Sequence, residues 1–263
     1  MTASTAPALR LTNVGVGFRG VRALDSVTFD VPQGGVSAVI GPNGAGKTTL
    51  FNCVSGIYRH EGSIALEGEV IDRKRAFRRA EAGIARTFQT PMLMEDEDVL
   101  ENVMLGSHTR SRSGVFAPLF TPSRTRRDER TARERALEVI DRVGLSAHRH
   151  SPAAALAHGD RRRIEIARAL VSRPRLLMLD EPAAGLTEQE ADALMDLVIA
   201  HGRDTGMTCV LVEHDVALVM RYAKTVAVLD AGRLLAVGDA AEIQQNPAVI
   251  AAYLGTDGEV DAA

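Results

Sequence analysis

A glycine-rich segment, GPNGAGKTT, follows an apolar strand-like run and precedes helix-like sequence. Its glycines let successive backbone N–H groups converge on a phosphate, and the N-terminus of the following helix adds a favourable dipole. Lys47 brings a cation to the β- and γ-phosphates, and Thr48 offers an oxygen to Mg²⁺. The segment is therefore predicted to bind a nucleoside triphosphate through Gly41, Pro42, Asn43, Gly44, Ala45, Gly46, Lys47, Thr48 and Thr49.

Two adjacent carboxylates close a second apolar run, LLMLDEP, at residues 176–182. A buried strand here would bring Asp180 to the carboxyl edge of a sheet, where we expect it to hold Mg²⁺ through water. Glu181 follows directly and is predicted to polarise an attacking water molecule. A further run, VLVEHD, brings His214 to the same edge, where we expect a contact with the γ-phosphate.

Short apolar runs must supply the strands that position these groups. Some alternate with polar residues and others are continuously apolar, as in parallel strands covered on both faces. The expected strands are 9–18, 26–31, 36–40, a hairpin at 62–71, 84–89, 176–180, 208–212 and 225–230. Residues 95–172 show helical spacing and no convincing strand, with a break at 113–123. This order predicts a parallel α/β sheet with an inserted helical block.

The composition excludes several classes of function. The 263 residues are 45% hydrophobic and 25% charged, with a net charge of −3, which gives no general footprint for nucleic acid. We find neither a membrane-spanning run nor the pattern of a signal peptide, and we expect a cytoplasmic protein. Cys53 and Cys209 are then expected to be buried free thiols. The arginine-dense run 124–135 indicates either an anionic-surface site or, preferably, a solvated helix face.

The order of these motifs resembles the ATP-binding subunit of ABC transporters across about residues 9–255. The segments that carry the resemblance are GPNGAGKTT, RTFQ, LAHGD, LLMLDEP, AAGLT and VEHD. RTFQTP, PAAGLT and the terminal AAYLG are most similar to the ATPases of branched-chain amino acid importers. The resemblance implies an α/β P-loop NTPase fold with an N-terminal antiparallel β subdomain and an inserted α-helical subdomain.

The resemblance also implies the domain limits. It indicates a single ATPase domain over 9–255, in which 9–89 and 174–255 form the α/β core and β subdomain. The helical subdomain is expected at about 90–173. Residues 1–8 and 256–263 are expected to be flexible ends.

Individual roles follow by position from the same resemblance. Phe18 matches the aromatic residue that stacks on adenine, where tyrosine is commoner, and Gln89 matches the glutamine that reaches Mg²⁺ and links the ATP site to the transporter. Glu181 matches the catalytic base and His214 the switch histidine. Residues 184–187 match the loop that crosses the dimer interface, although Thr187 replaces the acid or amide of many relatives.

Residues 156–160, LAHGD, resemble the family signature LSGGQ, which contacts the γ-phosphate of ATP held by a second subunit. A head-to-tail dimer with two ATP molecules is therefore implied, with Ala157, His158 and Gly159 in the ATP contact. Ala157 lacks the usual hydroxyl, whereas the backbone N–H groups at the helix start remain. We expect Asp160 to point along its own helix or towards Arg162 and Arg163, away from phosphate.

The expected function is to power import of branched-chain or related amino acids by hydrolysis of ATP with Mg²⁺. The implied partners are transmembrane permease subunits, a second ATP-binding subunit and an extracytoplasmic substrate-binding protein, on the inner face of the membrane. The groove beside Gln89, with residues 92–94, is the expected permease contact, although these apolar groups suit a core as well. The alternatives are a lipid or lipopolysaccharide exporter ATPase and a soluble ABC ATPase outside transport.

Overall fold

A four-stranded antiparallel sheet forms one part of the molecule. The computed structural model describes residues 6–89, 92–110 and 122–254. The strands of this sheet are β1 (Leu9–Phe18), β2 (Val21–Val31), β4 (Glu61–Leu66) and β5 (Glu69–Val70), in the order β2-β1-β4-β5. In β2, Val27, Phe29 and Val31 are buried while the residues between them are exposed, so one face of the strand packs on the core as the alternation predicts.

A six-stranded sheet carries the glycine-rich loop. It contains β3 (Gly35–Ile40), β6 (Ile84–Arg86), β7 (Leu176–Asp180), β8 (Thr208–Val212), β9 (Thr225–Asp230) and β10 (Arg233–Gly238). The strand order is β10-β9-β3-β8-β7-β6, and all neighbours are parallel except β9 and β10. Ala38 and Ile40 pack into one core cluster and Val39 into another, so β3 is covered on both faces as predicted.

Helices lie on both sides of the second sheet and form the inserted block. Their bounds are α1 (Lys47–Val54), α2 (Ala76–Glu81), α3 (Val99–Met104), α4 (Pro122–Arg142), α5 (His158–Leu170), α6 (Glu188–Thr205), α7 (Val216–Tyr222), α8 (Ala240–Gln245) and α9 (Pro247–Leu254). Short 3₁₀ turns occupy Leu105–Arg110, Ser146–His148 and Ala153–Ala155. In the described parts of 92–172 there is no strand, only an isolated bridge between Asp98 and Pro152.

The structure differs from the predicted elements in four places. Strand β2 begins at Val21, five residues before the expected strand 26–31. The strand expected at 84–89 ends at Arg86, because the backbone of Phe88 and Gln89 bonds to side chains of α5 instead of continuing along β7. The helix-like sequence after the glycine-rich loop, KTTLFNCVSGI at 47–57, forms helix α1 only as far as Val54, and Gly56 follows with φ +77°. Strand β10 was absent from the prediction, although it pairs antiparallel with β9.

The chain ends and the predicted helix break lie largely outside the described residues. Of the segment 1–8, only 6–8 are described, and Ala8 is buried with its N–H donating to Val31 O. Residues 111–121 and 255–263 are not described, so most of the break at 113–123 and the whole of 256–263 fall there. Across the described ranges, no helix has both the length and the apolar character needed to cross a bilayer.

Candidate functional site: a phosphate loop and the strand ends around it

The glycine-rich loop connects β3 to α1 and packs tightly against neighbouring backbone. Gly41 has φ +149°, and a Cβ on it would lie 2.0 Å from Leu229 O. Gly46 has φ +101°, and a Cβ there would lie 2.8 Å from Ala23 O. Both the backbone conformation and the space therefore require glycine, which explains how the loop curls directly above the sheet.

The N-terminus of α1 is free of competing side chains. Its N-cap is Gly46, which makes no side-chain hydrogen bond, and the first turn of Lys47–Val54 contains no acidic residue. Thr48 is exposed there, and Thr49 is half-buried. The first N–H groups and the positive end of the helix dipole are thus left to bind an anion, which suits a phosphate.

Lys47 is buried beneath this loop. Its Nζ donates to Gly41 O at 2.6 Å and to Pro42 O at 3.0 Å, and only 8% of the residue is exposed. Burial lowers the pKa of the ammonium group, while the nearby carboxylates of Glu181 and Asp180 act in the opposite sense. A buried cation is thereby fixed at the glycine-rich turn.

Asp180 is the last residue of β7 and is almost fully buried. Its Oδ2 accepts a hydrogen bond from Arg86 Nη2 at 2.8 Å, whereas its Oδ1 has no hydrogen-bond partner in the described parts of the chain. Arg86 also donates to Asn52 Oδ1 at 2.6 Å, and its guanidinium lies 5.1 Å from the Phe88 ring centroid. A buried carboxylate oxygen without a partner is unfavourable, so Oδ1 fits a water molecule or a hydrated cation.

Glu181 follows β7 directly and has a strained backbone. Its φ is +48°, in the left-handed region that residues other than glycine rarely adopt. The conformation is held because Glu181 N donates to Val212 O on β8 at 2.8 Å. Such strain is typical of functional positions, and here it lies at the carboxyl edge of the sheet beside Lys47.

The segment Phe88–Gln89 is held by two buried charges on α5. Arg162 donates to Phe88 O at 3.1 Å and to Gln89 O at 2.5 Å, and Glu165 Oε1 accepts from Phe88 N at 2.9 Å. Arg162 and Glu165 also pair with each other at 3.0 Å, and their side chains are only 3% and 2% exposed. The Gln89 residue itself is exposed, so its backbone is fixed while its side chain faces solvent.

The LAHGD segment begins α5 and contacts the loop after β7. Ala157 is the N-cap and provides no side-chain hydrogen bond. Asp160 pairs with Arg163 at 3.5 Å, which confirms that this carboxylate turns along its own helix. His158 Nε2 lies 3.1 Å from Ala184 O, so the imidazole ring, which is predicted to contact the partner's ATP, contacts residue 184 of its own chain. Gly159, in the first turn of α5, has no side chain and offers only its backbone.

Phe18 and His214 occupy exposed positions. Phe18 ends β1, is 43% exposed, and packs edge-on against Tyr58 with the ring centroids 5.1 Å apart. His214 follows β8, and its side chain is 65% exposed, with Nδ1 3.6 Å from Glu213 Oε2. The structure therefore brings His214 to the same sheet edge as Asp180 and Glu181, because β7 and β8 are parallel neighbours.

Comparison with known families covers most of the chain. The family model described as ABC transporter matches residues 24–184, and the one described as branched-chain amino acid ATP-binding cassette transporter matches residues 233–259. The chain belongs to the ABC transporter family. It is an ATPase subunit with a nucleotide-binding domain of this family.

Curated relatives match end to end. The Pseudomonas aeruginosa high-affinity branched-chain amino acid transport ATP-binding protein BraF is 40% identical over 250 residues, which cover 95% of this chain and 98% of that protein. LivG of Escherichia coli, with the same description, is 38% identical over the same shares. A probable branched-chain amino acid transport ATP-binding protein of Archaeoglobus fulgidus is 32% identical over 96% and 98% of the two chains.

Solved structures of ATP-binding cassettes confirm the predicted fold class. A nucleotide-free cassette from an ABC transporter superposes with a TM-score of 0.82 at 29% identity, covering 94% of this chain and 98% of that one. The ADP conformation of such a cassette gives the same TM-score and coverage at 30% identity. Nucleotide is therefore bound by a close structural relative of this ABC ATPase.

The segment 92–94, which lies beyond Gln89 where a permease groove is predicted, contains both exposed and packed apolar groups. Met92 is 70% exposed and Met94 48% exposed, whereas Leu93 packs against the core, so only Leu93 fits the core interpretation and the permease contact stays a prediction. Thr90 and Pro91 lie outside the described residues. Asp98, the last of the four acidic residues 95–98, N-caps α3 by accepting from Glu101 N.

Several site residues escaped the sequence interpretation. Arg86, Glu165 and Glu213 are buried charges whose partners lie far away in the sequence. Tyr253 on α9 is a further residue beside the site that the sequence did not indicate. Burial raises the pKa of its hydroxyl, and a hydrogen bond with the Gly41 backbone lowers that pKa. The signal for Arg162 and Glu165 was their spacing of three residues on the apolar face of α5, which places both on the side that packs inward.

Proposed function

We propose that this ABC ATPase powers the import of branched-chain or related amino acids. The observation that carries the proposal is end-to-end similarity to BraF and LivG, together with a C-terminal match to the branched-chain cassette family. The comparisons do not favour a lipid exporter or a soluble ABC ATPase. We further propose permease subunits, a second ATP-binding subunit and an external substrate-binding protein as partners, at the cytoplasmic face of the membrane.

The proposed chemistry starts at the phosphate loop. The N–H groups of Gly44, Gly46 and the first turn of α1 bind the phosphates, and Lys47 compensates their charge from below. Glu181 acts as the general base that takes a proton from the attacking water, and His214 contacts the γ-phosphate. Phe18 stacks on the adenine, with Tyr58 supporting its ring.

A Mg²⁺ ion fits the residues present. The unpartnered Asp180 Oδ1 supports a water-mediated contact, and Thr48 and Gln89 are exposed residues whose side chains carry oxygen atoms. These three residues would hold the ion, which supplies charge neutralisation for the β- and γ-phosphates when bound.

Completion of the site requires a second subunit in this proposal. The start of α5 at Ala157, His158 and Gly159 faces the ATP of the partner in a head-to-tail dimer. Because Ala157 has no hydroxyl and His158 contacts Ala184, the backbone N–H groups of the helix start are the principal donors to that phosphate.

The proposal is tested by reconstituting the chain with its membrane subunits in proteoliposomes. Leucine presented with the substrate-binding protein on the opposite side should stimulate ATP hydrolysis and be taken up. The Lys47→Ala variant is the control and should support neither. Hydrolysis that responds to an exported lipid but ignores leucine would contradict import.

A further inference from the structure

Glu213 is a buried carboxylate between two loops of the candidate site. It follows β8 directly and is only 1% exposed. Its Oε1 accepts from Ala183 N at 2.9 Å, and its Oε2 accepts from His214 N at 3.1 Å. One side chain thus bonds the backbone on both sides of the β7–β8 edge.

The two backbone groups that Glu213 binds, Ala183 N and His214 N, belong to segments that contact different ATP molecules in the proposed dimer. Ala183 lies two residues after Glu181 and begins the loop that continues to residues 184–187. The carbonyl of Ala184 in turn contacts His158 Nε2 at the start of α5. His214, at the other end, is the proposed contact to this subunit's own ATP.

The side chain at position 213 must accept two backbone hydrogen bonds, one on each oxygen. Burial raises the pKa of Glu213, and the N–H donors from Ala183, His214 and Asp215 act in the opposite sense. Replacing the carboxylate by an amide leaves one oxygen for two N–H groups, and its NH₂ then faces a donor. A partly buried N–H that loses its acceptor is unfavourable, so the geometry of the two loops depends on both carboxylate oxygens.

We propose that Glu213 is a positioning residue that keeps His214 and the loop 183–187 in fixed relation, so that both ATP half-sites close together. The proposal rests on the proposed function, in which His214 contacts ATP and residues 184–187 lie at the dimer interface. Glu213 itself does not touch ATP; it acts through the backbone of His214 and Ala183.

The first test is the near-isosteric Glu213→Gln variant. Amide hydrogen exchange at Ala183 or His214, whichever loses its acceptor, should accelerate by about tenfold in the nucleotide-free protein, as expected for loss of one hydrogen bond to a charged acceptor. The kcat for ATP should fall by a similar factor with an unchanged Kd for ATP, because the Lys47 loop is untouched. Unchanged exchange at both amides, or a wild-type kcat, would overturn the proposal.

Glu242→Gln is the matched control. Glu242 also accepts a backbone N–H, from Asp239 at 3.0 Å, but it does so in the capping box of α8 away from the site. Its substitution should leave kcat and the exchange at residues 183 and 214 unchanged. A fall in kcat equal to that of Glu213→Gln would show that loss of any such glutamate is sufficient, and would overturn the proposal.

A double-mutant cycle separates positioning from a general structural effect. In a His214→Ala background, Glu213→Gln should cost less in kcat than it does alone, because its main target has been removed. Equal losses in both backgrounds would contradict action through His214. Failure of the proposed import function can be told apart from failure of the positioning role. If import is wrong, the wild-type protein with its membrane partners lacks leucine-stimulated hydrolysis, but Glu213→Gln still accelerates the amide exchange.

Discussion

The buried pair on α5 makes a quantitative prediction about stability. In Arg162→Met, Glu165 keeps its charge at 2% exposure but loses its cation, and two carbonyls lose their donors. Breaking a buried ion pair on one side costs about 3–5 kcal/mol. We therefore expect a loss of that size in the free energy of unfolding, measured by urea denaturation with an unchanged m-value. Glu165→Met should give a comparable loss, because Arg162 then keeps its charge while buried without its carboxylate partner.

The double variant Arg162→Met/Glu165→Met distinguishes charge pairing from packing. It removes both charges and replaces them with apolar groups of similar length, while Phe88 and Gln89 are themselves exposed residues. Its cost should be about 2 kcal/mol below that of Arg162→Met, since neither member of the pair is left buried without the other. Losses that simply add in the double variant, or single losses below about 1 kcal/mol, would refute the reasoning.

A surface pair on α4 provides the control, and function provides a second readout. Arg130 and Glu134 pair at 3.0 Å, but the arginine side chain is 81% exposed, so Arg130→Met/Glu134→Met should hardly change stability. With Phe88–Gln89 released from α5, the α5 double variant should still bind ATP. It should lose the stimulation of hydrolysis by the permease, which is measured in proteoliposomes.

Three further predictions concern the ATP site. Lys47→Ala should abolish tight ATP binding, and an unaltered affinity by calorimetry would contradict the phosphate-loop assignment. Glu181→Gln should bind ATP, but its turnover should fall by a factor of about 10²–10⁴, the size of a general-base effect. The same variant should form an ATP-dependent dimer. A strict monomer in sedimentation with ATP would count against the paired half-sites. Asp160→Asn should change the ATPase rate little, because the carboxylate pairs with Arg163; a large gain in ATP affinity would show that Asp160 faces phosphate.

The strands were predictable because their apolar periodicity reflects burial that is local to each strand. The continuous run at 36–40 became β3, covered on both faces, and 176–180 became β7 with Asp180 at its end. The limit of β6 was not predictable in this way. Its apolar pattern continues past Arg86, but the backbone of Phe88 bonds to Glu165, 77 residues away, and only the packing of α5 reveals that competition.

The site was predictable where one segment carries all the chemistry, as in the loop 41–49. It was hidden where function depends on a long-range partner. The run RRR at 161–163 resembles a solvated helix face, yet its middle residue, Arg162, is buried against Gln89 O. Arg86 pairs with Asp180 only because β6 and β7 lie side by side in parallel register, a relation that no local pattern contains.

The departures in LAHGD have a structural consequence within the subunit. A serine at position 157 could cap α5 through its hydroxyl, whereas Ala157 makes no side-chain cap, and the helix start depends on other contacts. His158 supplies one through Ala184 O, and Asp160 supplies another through Arg163. The start of α5 is thereby tied to the loop that Glu213 also holds. In the proposed dimer, His158 and Asp160 therefore fix the position of the backbone N–H donors at the start of α5 and do not themselves donate to phosphate. The orientation of residues 184–187 then controls how these N–H groups meet the partner's phosphate.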